Sequence, residues 1–507
     1  PAVDILMSRY DTSGAAANLA ETKLNASNVN GLQFGRLFSL PVYGKIYAQP
    51  LYVSNVTILG QGHNVLYVAT MEDRLYAFDA QNGALLWSRN DLVPTGATPF
   101  PVADAAYTNS LNIAGDVGIE STPVIDRPTN TLYLVQRTKE SGQSVFRLRA
   151  VDITTGLDTL VAGGVTISAS YSVGGSTLTF DSSIQMQRPG LTIARGHVII
   201  AFGAHEDNNH FHGWIMAYDM STLQQTGSLV VSPSSYGGGV WMSGRAPVVD
   251  SNGYAYLFTG NSFGSLGWNP GTNHFDRGES ALKLDALQSL TVTDWFTPSN
   301  WQQMDAADAD LTSSGPILIP GTNFLLGGGK DGRLFLLAKD NLAGGPLQTI
   351  FFSGENRNGP AMWRRTAANG GSLIYMSVAN DLVRSFPFNG ASLLAQNAQA
   401  NDAAFGYPGA YLSVSANGGT PGSGIVWAYG ADVIASQDAS HQVAPGELRA
   451  YDANTLHVLW GSTTNVARDD LGLYGKFIVP VVANGQVFVA TQSNQVVVYG
   501  QLPSSAD

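Results

Sequence analysis

The sequence predicts an all-β chain, an eight-bladed β-propeller of four-stranded antiparallel sheets, and two observations carry the prediction. The first is a repeated phrase. Residues 65–70 lead into Leu75-Tyr76-Ala77-Phe78-Asp79-Ala80-Gln81-Asn82-Gly83 and close on Trp87. The phrase returns as Leu448-Arg449-Ala450-Tyr451-Asp452-Ala453-Asn454-Thr455 and closes on Trp460. Shorter copies lie at Ala150-Val151-Asp152, Ala217-Tyr218-Asp219 and Leu282-Lys283-Leu284-Asp285. Strand, polar turn, strand, Asp-led turn and closing Trp describe one small antiparallel sheet. A unit of that kind repeated every few tens of residues makes a radial array.

The second observation is spacing. Strand-like runs behind a Gly or Asn turn recur at 65–70, 131–135, 197–202, 254–258, 323–326, 373–377, 424–428 and 486–491. That interval fits a four-stranded blade with its loops. Seven blades is the alternative, because the copies around 323–390 are eroded. Period-two alternation shows in Phe488 and Ala490 and in Val496 and Val498, as expected where one face of a sheet packs on the next blade. Segment 43–53 and strand 496–499 are expected to share a blade, so that residues 1–507 form a single closed domain without an exposed sheet edge.

Composition agrees with this architecture and excludes several functions. The 57 Gly and 23 Pro supply turns, and 44% hydrophobic content supplies a core. No apolar run is long enough to cross a membrane as a helix. Net charge is −12 with no basic stripe, which argues against a nucleic-acid partner. The absence of cysteine excludes disulfides, thiolate metal sites and Cys-x-x-Cys-His haem attachment within this sequence. The sequence opens at Pro1 without a signal peptide and holds the sequons Asn25-Ala26-Ser27 and Asn55-Val56-Thr57. The expectation is a trimmed, secreted or periplasmic protein, open to glycosylation.

Chemistry is expected where the repeat is broken. Asp79, Asp152, Asp219 and Asp452 occur once per repeat and read as turn formers, and Trp87 and Trp460 as blade-packing residues. The segments 90–119, 262–279, 298–314 and 429–446 are candidate functional loops. Three of the eight histidines fall within 205–212. His205, Glu206, Asp207, His210 and His212 are therefore candidate metal ligands, with a polar blade-edge loop as the plainer reading. Trp241 follows Gly237-Gly238-Gly239-Val240 and is either a blade-packing aromatic or a stacking platform. Asn261 is either a turn cap or a metal ligand. Lys330, behind Gly327-Gly328-Gly329, is either a solvated turn residue or a lysine reaching toward the axis. Arg188 precedes the histidine-rich strand and is placed to reach the same mouth, whereas Arg364, Arg365 and Arg384 read as surface residues, with contact to an anionic ligand such as a uronate or a quinone carboxylate as the alternative.

Together these segments resemble the quinoprotein propellers, the fold of pyrroloquinoline quinone (PQQ)-dependent alcohol dehydrogenases. The Ala-x-Asp-Ala-x-x-Gly-x-x-x-Trp repeat carries the resemblance, with Gln49-Pro50-Leu51-Tyr52-Val53 near the start. The segment Gly237 to Gly244 resembles the one that supplies a tryptophan floor under the quinone. Thr259-Gly260-Asn261 resembles the motif whose Asn binds the active-site calcium, and Lys330-Asp331-Gly332 the strand whose Lys touches the quinone oxygens. The resemblance implies PQQ stacked on Trp241 with Arg188 and Lys330 beside it. It also implies Ca2+ or another divalent metal on Asn261 and a carboxylate near Glu206, and a catalytic base at Asp308 or Asp310. The sequence departs from the family in lacking its adjacent cysteines and in the length of the 203–214 segment.

The function expected is a PQQ- and calcium-dependent dehydrogenase of an alcohol or sugar, with a separate electron acceptor. The alternatives are a metal-assisted polysaccharide lyase or hydrolase, and a non-catalytic propeller that binds glycan or protein.

Overall fold

The computed structural model describes residues 2–105, 112–205, 211–263, 276–287, 289–401, 403–432 and 438–503. Eight antiparallel sheets follow one another along the chain and form the blades of a propeller. The first blade shows the plan. Leu51–Ile58, Gln61–Ala69, Leu75–Asp79 and Leu85–Arg89 pair in sequence order, each strand antiparallel to the last. The blades that follow open on Val124–Asp126, Thr192–Ala194, Val248–Val249, Ile317–Leu318, Ala361–Trp363, Tyr411–Ser415 and Val481–Ala483. These opening strands are short and buried because they line the crowded axis, where successive blades meet.

The Asp-led turn explains the repeat. Asp79 Oδ1 accepts the Gln81 N–H at 2.9 Å, and Asp219 and Asp452 accept from Ser221 and Asn454 at the same distance. Four residues after the Asp the backbone is left-handed, which favours glycine. Gly83 and Gly156 sit there at φ 77°, and Leu223 and Leu456 take the same place at φ 58° and 57°. The carbonyl that follows the Asp has its own use. Tyr67 of the first blade donates to Ile153 O at 2.9 Å, Tyr133 of the second to Met220 O at 2.6 Å, and Tyr375 of the sixth to Ala453 O at 2.6 Å. A tyrosine on one blade thus clasps the turn of the next. Trp87 adds a second clasp, donating from Nε1 to Ile153 O at 3.1 Å.

Ring closure differs from the expectation in one respect. The eighth blade takes its outer strand from Phe34–Pro41, which pairs with Gln495–Gln501, and not from segment 43–53. Leu51–Ile58 instead opens the first blade. Burial accounts for the difference. Leu51-Tyr52-Val53 is buried on both faces, as an axial strand must be, whereas Phe34–Pro41 is half-buried, as suits an outer one. Phe34 anchors that strand, with its ring 5.4 Å from Trp427 and 5.1 Å from Trp460.

Ahead of the first blade the chain forms a strap around the axis. Ile5 pairs with Tyr52 of the first blade. Farther along, Leu6 O, Thr12 O, Ser13 O, Ala15 O and Ala16 O accept from Ile125, Val249, Leu318, Met362 and Val414, each on the opening strand of a different blade. Tyr10 reaches the eighth blade, donating to Pro480 O at 2.7 Å and accepting from Val482 N–H at 2.9 Å. The strap satisfies axial backbone groups that would otherwise be unpaired.

Closure on an aromatic anchor has a measurable consequence. Phe34→Ala should lower stability by about 3–5 kcal/mol, read as a shift in the urea midpoint, with the first-blade strands unaffected in composition and pairing.

Candidate functional site

A cavity of about 360 Å³ opens on the propeller axis. Trp241 and Ser243 line it, while the neighbouring Gly244 O accepts from Ser8 of the strap at 2.9 Å. The strap therefore lies behind the cavity floor. Lining residues come from the 90–119, 298–314 and 429–446 segments, three of the four long loops.

Trp241 lies on a glycine pavement. A Cβ at Gly203, Gly239 or Gly260 would come within 2.5, 2.5 and 2.9 Å of its indole atoms. Its Nε1 donates to Ala204 O at 3.0 Å and its backbone N–H to Thr312 Oγ1 at 3.1 Å. Phe211 meets the ring edge-on at 5.9 Å. These contacts fix the ring plane, and the indole takes part in the cavity wall. Glycine is needed at these three positions because any side chain would displace the ring.

Beside the indole stands an oxygen-rich cluster. Asn261 donates its backbone N–H to Asp310 Oδ1 at 3.0 Å and its amide Nδ2 to Asp308 Oδ1 at 2.9 Å. Asn261 Oδ1 is buried and has no hydrogen-bond partner among the described residues. Lys330 Nζ bridges the carboxylates, 2.9 Å from Asp308 Oδ2 and 2.5 Å from Asp310 Oδ2. Burial acts against the Lys330 charge, but Asp310 and Asp308 outweigh it and raise the pKa, so the ammonium is held protonated. Behind the cluster, Glu279 accepts from Leu311 N–H at 2.7 Å. Burial and then Asp310 push its pKa well up. Asp305 accepts from Ser262 N–H at 3.0 Å, and burial raises it to about 7.

Further cations line the cavity. Arg188 is buried, pairs through Nε with Glu120 Oε1 at 2.9 Å, and stacks 4.2 Å over Phe477. Lys476 donates to Asn112 O at 2.9 Å and to Ser440 O. Burial, and then the Arg188 charge, lower its pKa to about 7. Arg357 also lines the cavity and is paired with Glu355 at 2.6 Å. Lys476, Glu120 and Arg357 escaped the sequence reading. For Lys476 a signal was present: it is the lone charge in Gly475-Lys476-Phe477-Ile478-Val479-Pro480.

The structure thus gathers Trp241, Arg188, Asp308, Asp310 and Lys330 around one cavity, with Asn261 hydrogen-bonded to both aspartates. Among the described residues, His205 and His212 point to different partners. His205 lines the cavity but sets Nε2 2.6 Å from Arg137 Nη1. Burial, then Arg137 and Arg188, hold its pKa well below the usual range. A ring nitrogen facing a guanidinium is closed to a cation, so a metal-ligand role for His205 does not fit this geometry. His212 turns Nδ1 to Ser232 O at 3.1 Å and is not part of the cavity wall. Glu206, Asp207 and His210 lie outside the described residues. Among the described residues, no three His, Asp or Glu side chains form a metal-holding group.

Fold and cavity define a class: an eight-bladed propeller with an axial pocket floored by an indole and flanked by cations. Its fold is that of the quinoprotein alcohol dehydrogenases. A quinohemoprotein alcohol dehydrogenase of Pseudomonas putida HK5 matches over 99% of this chain and 81% of its own, with TM-score 0.62 at 13% identity. The quinohemoprotein alcohol dehydrogenase of Comamonas testosteroni matches over the same shares, with TM-score 0.55 at 16% identity. A europium-containing methanol dehydrogenase matches over 99% of this chain and 86% of its own, with TM-score 0.50 at 14% identity. No protein-family model matches the sequence, and no curated protein matches it either.

The raised Asp305 gives a pH test. Its folded pKa of about 7 exceeds the unfolded value of about 3.9, so the folded state holds this proton more tightly. The stability it contributes is complete below the unfolded value and is lost as pH rises through the folded one. Asp305→Asn keeps an acceptor for Ser262 N–H. It should match the wild type near about pH 4 and exceed it by about 2 kcal/mol above about pH 8 in urea unfolding, a figure discounted for partial exposure.

Proposed function

We propose that this propeller is a PQQ- and divalent-cation-dependent dehydrogenase that oxidises an alcohol or a sugar. The observation that carries the reading is the Trp241 platform, an indole seated on three glycines in the wall of an axial cavity. A ring held in this way suits a flat aromatic partner. The surrounding charges suit an anionic one: Arg188, Lys330 and Lys476 lie on the wall, and the buried Asn261 Oδ1 is an oxygen donor without a partner. Asn261 Oδ1 with Asp308 or Asp310 would offer a hard cation the oxygen ligands it prefers. Trp241, Arg188 and Lys330 would hold the quinone. When bound, PQQ would supply the electrophilic carbonyl that takes hydride from the substrate carbon.

The residues of this chain then divide the work. Asp308 is 64% exposed at its side chain and Asp310 only 6%, so Asp308 is the carboxylate placed to accept the substrate hydroxyl proton. Buried Asp310 fixes Lys330 and the Asn261 backbone. Lys330 Nζ, held cationic, stabilises negative charge developing on an oxygen beside it. Arg188, locked to Glu120, offers a guanidinium to a carboxylate of the ligand. The electron acceptor is a separate partner, and an extracytoplasmic location accompanies this reading.

The test is a titration of the protein with PQQ and Ca2+. Tryptophan fluorescence should be quenched, dye reduction should follow on adding primary alcohols or sugars, and both should fail in Trp241→Ala. Asp308→Asn should keep the quench and lose about 10²–10⁴ in turnover. Wild-type protein that shows no quench at any calcium concentration would refute the reading.

A further inference from the structure

The strap carries a group that the proposed reaction does not use. At its midpoint the backbone turns through Arg9 and Tyr10, both left-handed, at φ 60° and 82°. Such a conformation costs a non-glycine residue about 1–3 kcal/mol and persists only where its surroundings enforce it. Here they do. Arg9 N–H donates to Gln49 Oε1 at 2.9 Å, Gln49 Nε2 donates to Met7 O at 3.2 Å, and Tyr10 is fixed to the eighth blade. The turn places the Arg9 side chain inside the ring, where it is 1% exposed.

All three guanidinium nitrogens of Arg9 lack a hydrogen-bond partner among the described residues. The groups facing its charge are the phenols of Tyr411, Tyr474 and Tyr10, and its Cζ stands 5.2 Å from the Tyr411 ring centroid. Its charge acts on a second buried arginine, and among the described residues no carboxylate counters either. That neighbour, Arg245, is satisfied by Gly14 O at 3.0 Å, Asn358 O at 3.2 Å and Pro360 O at 2.5 Å. Arg9 is not. A buried guanidinium offers donors only, and leaving it without an acceptor costs several kcal/mol. Two adjacent buried cations without a counter-charge increase that cost.

We propose that the buried turn of the strap binds a small inorganic anion of halide size, held by Arg9 beside Tyr411 and Tyr474, with Arg245 adding positive charge. The ligand is small because the residues around it are buried, and it is an anion because the Arg9 guanidinium has no acceptor among the described residues. Tyr411 also lines the cavity, so the anion sits one ring away from the proposed quinone pocket, yet its binding does not depend on the quinone.

Crystals of the full chain grown with sodium bromide test the site directly. An anomalous peak within hydrogen-bonding reach of the Arg9 guanidinium is expected; ordered water there without an anomalous peak would overturn the proposal. In solution, the melting temperature should be several degrees higher in sodium chloride than in sodium gluconate at equal ionic strength. Arg9→Met should abolish that difference. Equal melting temperatures for the wild type in the two salts, or an undiminished difference in Arg9→Met, would count against the anion. Because the bromide experiment uses only wild-type protein, it stands even if the variant fails to fold.

Discussion

The pairing of Phe34–Pro41 with Gln495–Gln501 is the constraint on which the remaining structure rests. A propeller blade is a small sheet that cannot bury both faces alone. Each blade therefore needs a neighbour on either side, and an open array would leave two terminal faces exposed. Drawing one strand of the last blade from the chain's beginning turns the array into a ring. The tyrosine clasps from Tyr67, Tyr133 and Tyr375 then bind blade to blade through a carbonyl of the Asp-led turn. With the ring closed, groups far apart in sequence face a common axis. Trp241, Lys330 and Lys476 come from different blades or the segments between them, and share one cavity only for that reason.

Charge is distributed by the same geometry. Only 13% of residues are charged and the net charge is negative, yet the axis collects Arg9, Arg188, Arg245, Lys330 and Lys476. Buried cations are tolerated when paired or well hydrogen-bonded. Arg188 has Glu120, Lys330 has Asp308 and Asp310, Arg245 has three carbonyls, and Lys476 has at least two. In Lys476 the balance shows as a pKa lowered by burial and then by the Arg188 charge. An axis built in this way attracts anions from its cavity side, which suits a carboxylated ligand, and leaves Arg9 as the cation whose hydrogen bonds are unmet.

What the sequence revealed depended on whether the physics was local. The Asp-led turns were legible because Asp79, Asp219 and Asp452 bond to backbone two residues ahead. Trp241, Asn261, Asp308, Asp310 and Lys330 stood out because they interrupt a repeat, and the ring brings them close. Histidine density in sequence does not fix where the rings point: His205 answers to Arg137 and His212 to Ser232 O. The outer strand of the last blade was misplaced by some ten residues, since nothing local distinguishes an axial strand from a peripheral one. The strap was invisible for a related reason. Its partners, from Tyr52 to Val414, are spread over most of the chain.

Backbone strain separates scaffold from site. At blade turns the left-handed positions are taken largely by residues suited to them, such as Asn130, Asn380, Asn484 and Asn494. Around the cavity the left-handed residues are Met242 and Ser243 beside Trp241, Glu279 behind the carboxylates, Asp308 itself and Phe477 under Arg188. Met, Glu and Phe gain nothing intrinsic from that conformation. They keep it because hydrogen bonds enforce it, Ser243 Oγ to Ser313 O at 2.6 Å and Leu311 N–H to Glu279 Oε2 at 2.7 Å among them. Strain held at several neighbouring positions fixes groups in advance of any ligand. Asp308 shows what this achieves. Its left-handed backbone carries a carboxylate that faces outward while still tied to Asn261 and Lys330. A relaxed backbone would let that side chain turn away from Asn261 and Lys330.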